Sequence, residues 1–203
     1  MSLAQYSDLT TAVATWLHRS DLTSSIPDFV TLAEIEVMRK MRTRDMETAF
    51  SGTITSTGTL AIPANFIAFK ELYVNASTIQ YLERRSPKWI RDKYAFTGST
   101  NLPRYYAREG TAFIFGPQPD ATYTLGGVFY KNRGPLSTNT THATFVANPD
   151  VYLYATLLQS APYLKNDPRI AVWAGLYQAR LDSANGLMKD EEGGGSELRV
   201  MAA

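Results

Sequence analysis

The sequence predicts an α+β fold: a helical body, with two N-terminal and two C-terminal helices, interrupted by a central antiparallel β-sheet or barrel. Towards both ends of the chain, apolar residues recur at spacings of three and four, as they do on one face of a helix. Between these regions, from Phe50 onward, short alternating segments rich in β-branched residues are separated by turns that contain glycine and proline. A helix–sheet–helix order along the chain follows from these observations.

These patterns divide the chain into four parts. We expect the N-terminal helical part of the body at residues 1–48, the β insertion at 49–135, a loop and C-terminal helical hairpin at 136–188, and a flexible tail at 189–203. The tail contains three successive glycines, which lose the most backbone entropy on folding. Its apolar residues are too few to form a core, so we expect the tail to be disordered or to dock on a partner.

Two helices are predicted in the N-terminal part. Ser7 or Asp8 is expected to cap the first, and Pro27 to begin the second, where its missing N–H costs least. Acidic residues lie early in the second helix and basic residues lie late, an order that complements the helix dipole. Composition favours a solvated helix end over a nucleic-acid patch, although in a ring of subunits this basic run would repeat around a channel. The basic run comprises Arg39, Lys40, Arg42 and Arg44.

The β insertion is predicted to contain short strands and one brief helix, which Ser86 caps and Pro87 begins. A glycine pair at 126–127 falls inside a predicted strand and indicates a bulge or close packing. After the last strand, residues 132–147 are expected to form a long polar connection. The predicted strands cover residues 53–55, 60–62, 70–74, 78–82, 104–108, 112–115 and 123–131.

Two helical segments between residues 148 and 187 form the predicted C-terminal hairpin. Each opens with a side chain that can accept a hydrogen bond, followed by a proline, as in Asn148-Pro149 and Asp167-Pro168. Apolar residues surround nearly the whole first helix, as in helices that lie in a core or between subunits. The candidates for a subunit interface are Tyr152, Tyr154 and Tyr163.

The composition limits the classes of function. No cysteine is present, which excludes disulfides, thiolate nucleophiles and cysteine-ligated metal sites. Twenty basic and nineteen acidic residues give a net charge of +1, so no overall field attracts nucleic acid or an anionic membrane. The chain does not open on a basic region followed by an apolar run, and no segment approaches the roughly 20 apolar residues of a membrane span. We therefore expect a soluble chain that is not exported.

No motif of a catalytic or metal site is present in the sequence. The two histidines, His18 and His142, lack the HExxH spacing, and no phosphate-binding loop or nucleophile elbow occurs. Glu34, Glu47 and Glu71 could in principle supply a glycosidase pair, but nothing in their spacing predicts a shared cleft. We therefore predict no catalytic residue, no cofactor and no metal ligand.

One predicted hairpin has the composition of a nucleic-acid platform, because aromatic side chains lie beside arginines. On an alternating strand, half of the aromatic side chains face inward, which favours ordinary sheet packing. The residues concerned are Arg104, Tyr105, Tyr106, Arg108, Phe113 and Phe115.

An ordered series of short segments, spread over residues 6–188, resembles one known family. The segments are Tyr6-Ser7-Asp8-Leu9, 16–22, 26–34, 60–66, Gly116-Pro117-Gln118-Pro119 and 148–155. None of them is catalytic, and their order along the chain is specific. The series is similar to that of the head-to-tail adaptor proteins of short-tailed bacteriophages, the portal-binding neck or connector proteins.

The resemblance implies a structural protein and no enzyme activity. It implies a dodecameric ring beneath the portal protein in the virion neck, assembled in the bacterial cytoplasm from subunits that can be monomers when free. Such a ring extends the channel through which double-stranded DNA is ejected, without sequence specificity, and binds other tail or nozzle proteins; no membrane or cofactor is involved. The basic run would line the channel, and the C-terminal tail would reach the portal. The portal-binding candidates are Leu198, Arg199, Val200 and Met201.

Two other functions stay open at this point. A tail-tube or tail-completion subunit would also form a ring, but it would attach below the adaptor. A virion-associated cell-wall glycosidase would need a pair of carboxyl groups, for which the sequence offers only generic candidates.

Overall fold

The computed structural model describes residues 3–94 and 100–192, with the side chains of the last helix up to Gly186. The helices in these residues are α1 (Tyr6–Leu17), α2 (Ile26–Lys40), α3 (Pro87–Lys93), α4 (Ala143–Ala147), α5 (Pro149–Gln159) and α6 (Arg169–Glu192). Short 3₁₀ turns cover Ser20–Ser25, Arg44–Met46 and Ala161–Tyr163. The strands are β1 (Glu47–Ile54), β2 (Thr59–Ala61), β3 (Phe66–Asn75), β4 (Ile79–Tyr81), β5 (Glu83–Arg84), β6 (Tyr105–Glu109), β7 (Ala112–Gly116) and β8 (Tyr123–Lys131).

The chain divides into two units, each with a hydrophobic core of its own. The helical unit comprises Met1–Met46 and Arg133–Ala203, and the β unit comprises Glu47–Asn132. The α+β class predicted from the sequence is confirmed, with β-sheet inserted into a helical body. The β unit begins at Glu47 and ends at Asn132, where the predicted insertion runs from 49 to 135.

Helix α5 packs against α1, α2 and α6 in the helical unit. Because apolar residues recur every three or four positions on α1 and α2, one face of each helix is buried. Most of α5 is buried, which agrees with its nearly continuous apolar surface. Helix α6 adds one buried face, formed by Trp173, Tyr177, Leu181 and Ala184.

The predicted cap of α1 is wrong. The helix begins at Tyr6, two residues earlier than a Ser7 cap would allow, and the residue before it, Gln5, makes no side-chain cap. The first N–H group of the helix has a tertiary partner, because the Tyr6 N–H donates to the Thr140 carbonyl at 3.1 Å. The start of α1 is therefore supported by a distant part of the chain and not by a local cap.

The predicted cap of α5 is also wrong. The Asn148 side chain makes no cap, and its amide donates to the Thr144 carbonyl at 3.3 Å. The reason is that α4 ends immediately before α5, so Asn148 closes one helix where it was expected to open another. At the start of α5, the Asp150 carboxylate accepts from the Val151 N–H at 3.0 Å.

Two other predicted caps are confirmed. The Ser86 hydroxyl accepts a hydrogen bond from the Trp89 N–H at 3.2 Å, and Pro87 occupies the first turn of α3. At the start of α6, the Asp167 carboxylate accepts from the Arg169 N–H at 2.9 Å. In both places the side chain that accepts the hydrogen bond and the backbone N–H that donates it are neighbours in sequence. The sequence pattern was therefore sufficient to predict the cap.

The β unit contains two four-stranded sheets among the described residues, and neither closes into a barrel. The first has the order β1-β8-β3-β4 and is antiparallel, and the second has the order β2-β7-β6-β5, with β5 parallel to β6. The predicted strand at 78–82 corresponds to β4 alone, and β5, which follows it directly, belongs to the other sheet. Gly127 lies where β8 and β3 approach closely, since a Cβ there would stand 2.4 Å from the Glu71 carbonyl oxygen.

The sequence predicted a long polar connection at 132–147. The structure differs at its end, where residues Ala143–Ala147 form the short helix α4. The His142 Nδ1 accepts a hydrogen bond from the Phe145 N–H at 3.1 Å and so caps this helix. None of the helices in the described ranges is both long and apolar enough to cross a membrane.

Candidate functional site

The basic run at the end of α2 is partly engaged within its own subunit. Arg39 and Lys40 are both exposed in the last turn. The Lys40 ammonium lies 2.7 Å from the Glu36 carboxylate and 5.5 Å from the centre of the Tyr177 ring. Burial, with Glu36 nearby, raises the pKa of Tyr177 to about 12, so this phenol stays neutral. Lys40 therefore has partners on two helices, whereas Arg39 has none among the described residues.

Arg42 has a structural role at the C-terminus of α2. Its guanidinium donates to the Met38 and Met41 carbonyls, at 2.7 and 2.6 Å, which satisfies two of the groups that a helix end leaves free. Its backbone N–H donates to the Asn185 side chain on α6 at 3.0 Å. Arg44 follows in an exposed position. Within the run, Lys40 and Arg42 are therefore held by contacts in their own subunit, and Arg39 is exposed without a partner among the described residues.

The three tyrosines proposed for a subunit interface differ in exposure. Tyr152 is 5% exposed and packs in the core of its own subunit, with its ring centre 5.4 Å from that of Phe145. Tyr154 is half-buried against Trp16. Tyr163 is 52% exposed and covers Phe29 with only one side of its ring. The exposed surface of Tyr163 is therefore available to a partner, and that of Tyr152 is not.

Helix α2 presents an apolar stripe to solvent that the sequence reading missed. Leu32 and Ile35 are exposed and lie one turn apart, and Arg39 follows one turn further on the same side. We call Leu32 and Ile35 the outer stripe. The sequence signal was present, because Leu32 and Ile35 fall outside the register of the buried residues Val30, Ala33 and Val37. Apolar side chains exposed together in this way are typical of an interaction surface.

Glu34, a glycosidase candidate, is a buried structural group. It is 8% exposed, and its carboxylate accepts a hydrogen bond from the Leu136 N–H at 2.6 Å. Burial raises the pKa of Glu34, and the hydrogen bond from Leu136 opposes that rise. Burial, with the Glu34 carboxylate nearby, raises the pKa of Tyr152. Glu34 therefore anchors the loop after the β unit to α2.

His142 is also a buried titratable group of the helical unit. Burial lowers its pKa because the charged imidazolium would lose its hydration, and Arg133 adds to this effect. The neutral ring is the form that can accept the hydrogen bond from Phe145 at the start of α4. Histidine is an unusual helix cap, so this role was not predictable from the residue type.

The remaining chemical candidates also have structural explanations. Glu47 forms an ion pair with Lys70 at 2.7 Å, and Glu71 lies exposed on β3. No cluster of His, Asp and Glu side chains that could hold a metal ion is found in the described residues. Leu198, Arg199, Val200 and Met201, the proposed portal-binding residues, lie outside the described part of the chain.

The aromatic hairpin packs as a sheet core rather than as a nucleic-acid platform. Tyr106, Phe113 and Phe115 are buried. Tyr105 faces the other side of the sheet, where its ring centre lies 4.8 Å from that of Trp89 on α3. The alternation along the strand thus places one set of rings in the core and one against a helix.

Comparison with known proteins gives one family. Residues 4–200 match the model of the SU10 adaptor protein family. No match is found among curated proteins. The match covers almost the whole chain, including both units, and confirms the resemblance to phage head-to-tail adaptors. The chain therefore belongs to the SU10 adaptor protein family and is a bacteriophage structural protein of the virion.

Proposed function

We propose that the protein forms a dodecameric ring beneath the phage portal, where it extends the DNA channel and provides the attachment site for tail components. The family match over residues 4–200 carries this proposal. The ring would assemble in the host cytoplasm from chains that are monomers when free. The active role would then lie in its interfaces, which agrees with the structural roles of the carboxylates Glu34 and Glu47.

The subunit interface of this ring is proposed to use the outer stripe and Tyr163. Leu32, Ile35 and Tyr163 expose apolar surface that a single subunit leaves uncovered. Covering such surface contributes about 25 cal/mol for each Å² removed from water. Tyr154 would contribute the part of its ring that Trp16 does not cover, and Tyr152 would support the interface only from within the core.

We propose that only a few Lys or Arg side chains of each subunit contact DNA in the channel. Arg39 is the residue of the basic run that would face the channel most directly, because it is exposed, whereas Lys40 and Arg42 are held by their own subunit. Arg44 is also exposed. Each phosphate that a protein neutralises raises affinity and salt dependence steeply. A sparse set of cations, in a chain with a net charge of +1, therefore suits a conduit that DNA must leave.

The C-terminal tail is proposed to bind the portal, with Leu198, Arg199, Val200 and Met201 as anchors on a glycine-rich tether. A segment that orders only on docking contributes modest affinity in each copy. Ring symmetry would multiply this affinity, because the remaining copies bind at a high effective concentration once one has bound.

Electron microscopy of the purified chain mixed with portal rings tests the proposal. We expect co-sedimentation and a ring of density beneath the portal, and weaker attachment after deletion of residues 193–203. Absence of both the ring and co-sedimentation would contradict the proposal. Binding to tail-tube protein instead of portal would support a tail-completion subunit, and clearing of peptidoglycan in a zymogram would support a glycosidase.

A pair of variants tests the subunit interface. Leu32→Ser with Ile35→Ser should prevent ring formation on the portal while the free subunit keeps its melting temperature, because both side chains are exposed. Val146→Ser is the control, since Val146 is an exposed apolar residue of the same unit outside the outer stripe. Rings that form equally well with the double variant would exclude the outer stripe from the interface.

A further inference from the structure

Positive charge is concentrated in one segment of the β unit. Residues 83–109 contain seven Lys or Arg side chains and three Asp or Glu, whereas the whole chain has a net charge of +1. The excess of basic over acidic residues in this segment is therefore larger than the excess in the whole chain. Such local concentration creates a potential that near-neutral overall composition conceals. The basic residues are Arg84, Arg85, Lys88, Arg91, Lys93, Arg104 and Arg108.

Some of these charges surround a cleft of about 650 Å³ at the edge of the second sheet. The cleft forms where β5 runs parallel to β6 and the chain then turns into α3. The Arg85 N–H donates to the Tyr106 carbonyl at 2.9 Å, and this bond holds the turn against β6. The volume of the cleft falls within the range of ligand-binding pockets. The cleft is lined by Arg84, Arg85, Ser86, Pro87, Trp89 and Arg108.

The three guanidinium groups of the cleft are not equivalent. Arg85 is held in place, with 2.6 Å to the Glu83 carboxylate and 5.2 Å to the centre of the Trp89 ring. Arg84 and Arg108 are exposed, and neither has an acidic partner within ion-pair distance in the described part of the chain. An oriented arginine thus stands beside two that are free to bind an anion.

We propose that this cleft binds an acidic segment of a partner protein, through carboxylates that Arg84 and Arg108 hold. Arginine matches a carboxylate with two parallel hydrogen bonds, which a cleft can orient. Tryptophan and arginine are also the residue types that dominate binding energy at protein interfaces. The site lies in the β unit, and it is independent of the proposed ring interface in the helical unit.

Duplex DNA fits the cleft less well. A duplex presents its phosphates on a convex surface, and a row of cations on a flat or matching groove is needed to follow them. Here the two arginines without an acidic partner line a single open cleft and do not form an extended row. A flexible acidic segment can enter such a site, whereas the cylinder of a duplex stays outside.

Calorimetric titration with a synthetic peptide of about eight residues, rich in Asp and Glu with one central Leu, tests the proposal. We expect binding at about 50 mM salt that weakens as salt rises. Arg84→Gln with Arg108→Gln should weaken it at least about tenfold, as expected when charge-assisted hydrogen bonds are lost. Arg19→Gln with Arg180→Gln makes the same change in net charge on the helical unit and should leave binding unchanged.

Further measurements separate the possible outcomes. Arg84→Lys with Arg108→Lys keeps the charge but loses the paired hydrogen bonds, so its binding should fall between that of the wild type and the Gln variant. An Asn and Gln version of the peptide should not bind. Equal loss in the Arg19 and Arg180 control, or no binding of the acidic peptide by a wild-type chain of normal melting temperature, would overturn the proposal. Tighter, Arg84- and Arg108-dependent binding of a duplex of about 20 base pairs would overturn it in favour of DNA.

Discussion

The helical unit and the β unit fill their interiors with different chemistry. In the described residues, all six buried polar or charged side chains belong to the helical unit: Glu34, Thr43, His142, Thr144, Thr156 and Ser160. The buried side chains of the β unit are apolar or aromatic, with ring pairs such as Phe66 on Phe113 and Phe69 on Tyr106. Their charge composition differs too, since the sequence of the β unit has nine basic and six acidic residues, against eleven and thirteen in the rest of the chain.

This difference follows from how each unit satisfies its backbone. Strands bond to neighbouring strands, so their core can be filled with rings alone. In the helical unit, helix ends and the loop at 133–142 leave backbone N–H groups that need other acceptors. Glu34 supplies one for Leu136, and His142 supplies one for Phe145. Two of the six buried polar side chains, Glu34 and His142, thus supply acceptors that the loop and a helix end need.

The largest expected effect tests whether the two cores are separate. Trp173→Ala should lower the free energy of unfolding by about 3–5 kcal/mol, because this side chain is 4% exposed and its removal leaves a cavity. Val172→Ala, at a position 59% exposed, should change it by less than about 0.5 kcal/mol. Denaturant unfolding measures both. Hydrogen exchange should show the loss of protection in the helical unit, and equal loss in β3 and β8 would contradict separate cores.

An intermediate effect is expected from the buried carboxylate. Glu34→Ala should cost about 1–3 kcal/mol, because it leaves the Leu136 N–H without its acceptor. Glu34→Gln keeps an oxygen in place and removes the charge, so its cost at neutral pH should be smaller. Chemical denaturation compares the two variants. If Glu34→Ala were as stable as Glu34→Gln, the oxygen that accepts from the Leu136 N–H would contribute nothing to the free energy of unfolding. The difference in buried polar side chains between the two units would then have no effect on stability.

The smallest effect is a pH dependence confined to the helical unit. Because the pKa of His142 is lowered by burial, the unfolded chain takes up a proton at higher pH than the folded one. Stability should therefore be complete above the ordinary pKa of 6.5 and fall as the pH drops below it. The raised pKa of Glu34 acts in the opposite sense, since its contribution is lost as pH rises.

His142→Asn isolates this histidine contribution. Asparagine can still accept the hydrogen bond from Phe145 but does not titrate. Unfolding midpoints measured from about pH 5 to about pH 8, with Glu34→Gln as background to remove the opposing carboxylate, should show a weaker loss of stability on acidification in the Asn variant. Identical slopes with and without His142 would show that its burial has no effect on stability.

The local sequence pattern was sufficient to predict a structural feature where the interacting residues are neighbours in sequence. The caps by Ser86 and Asp167 and the inward faces of α1 and α2 were predictable, because a few adjacent residues decide them. The start of α1 was not, because the carbonyl of Thr140 binds Tyr6 from a distant part of the chain. The cleft was missed for a similar reason. Arg84 and Arg108 come together only because β5 pairs with β6 in parallel.

The sequence by itself determined the fold class, the helix–sheet–helix order and the resemblance to an adaptor family, because periodicity and the order of short segments are local properties of the chain. Only the tertiary structure decided which charged side chains are bound within their own subunit and which are exposed. Lys40 and Arg42 are bound within their own subunit, and Tyr152 is buried in its core, whereas Arg39, Tyr163 and the arginines of the cleft keep their surface. The physical reason is that burial and partnership depend on residues far apart in sequence, which composition and spacing do not encode.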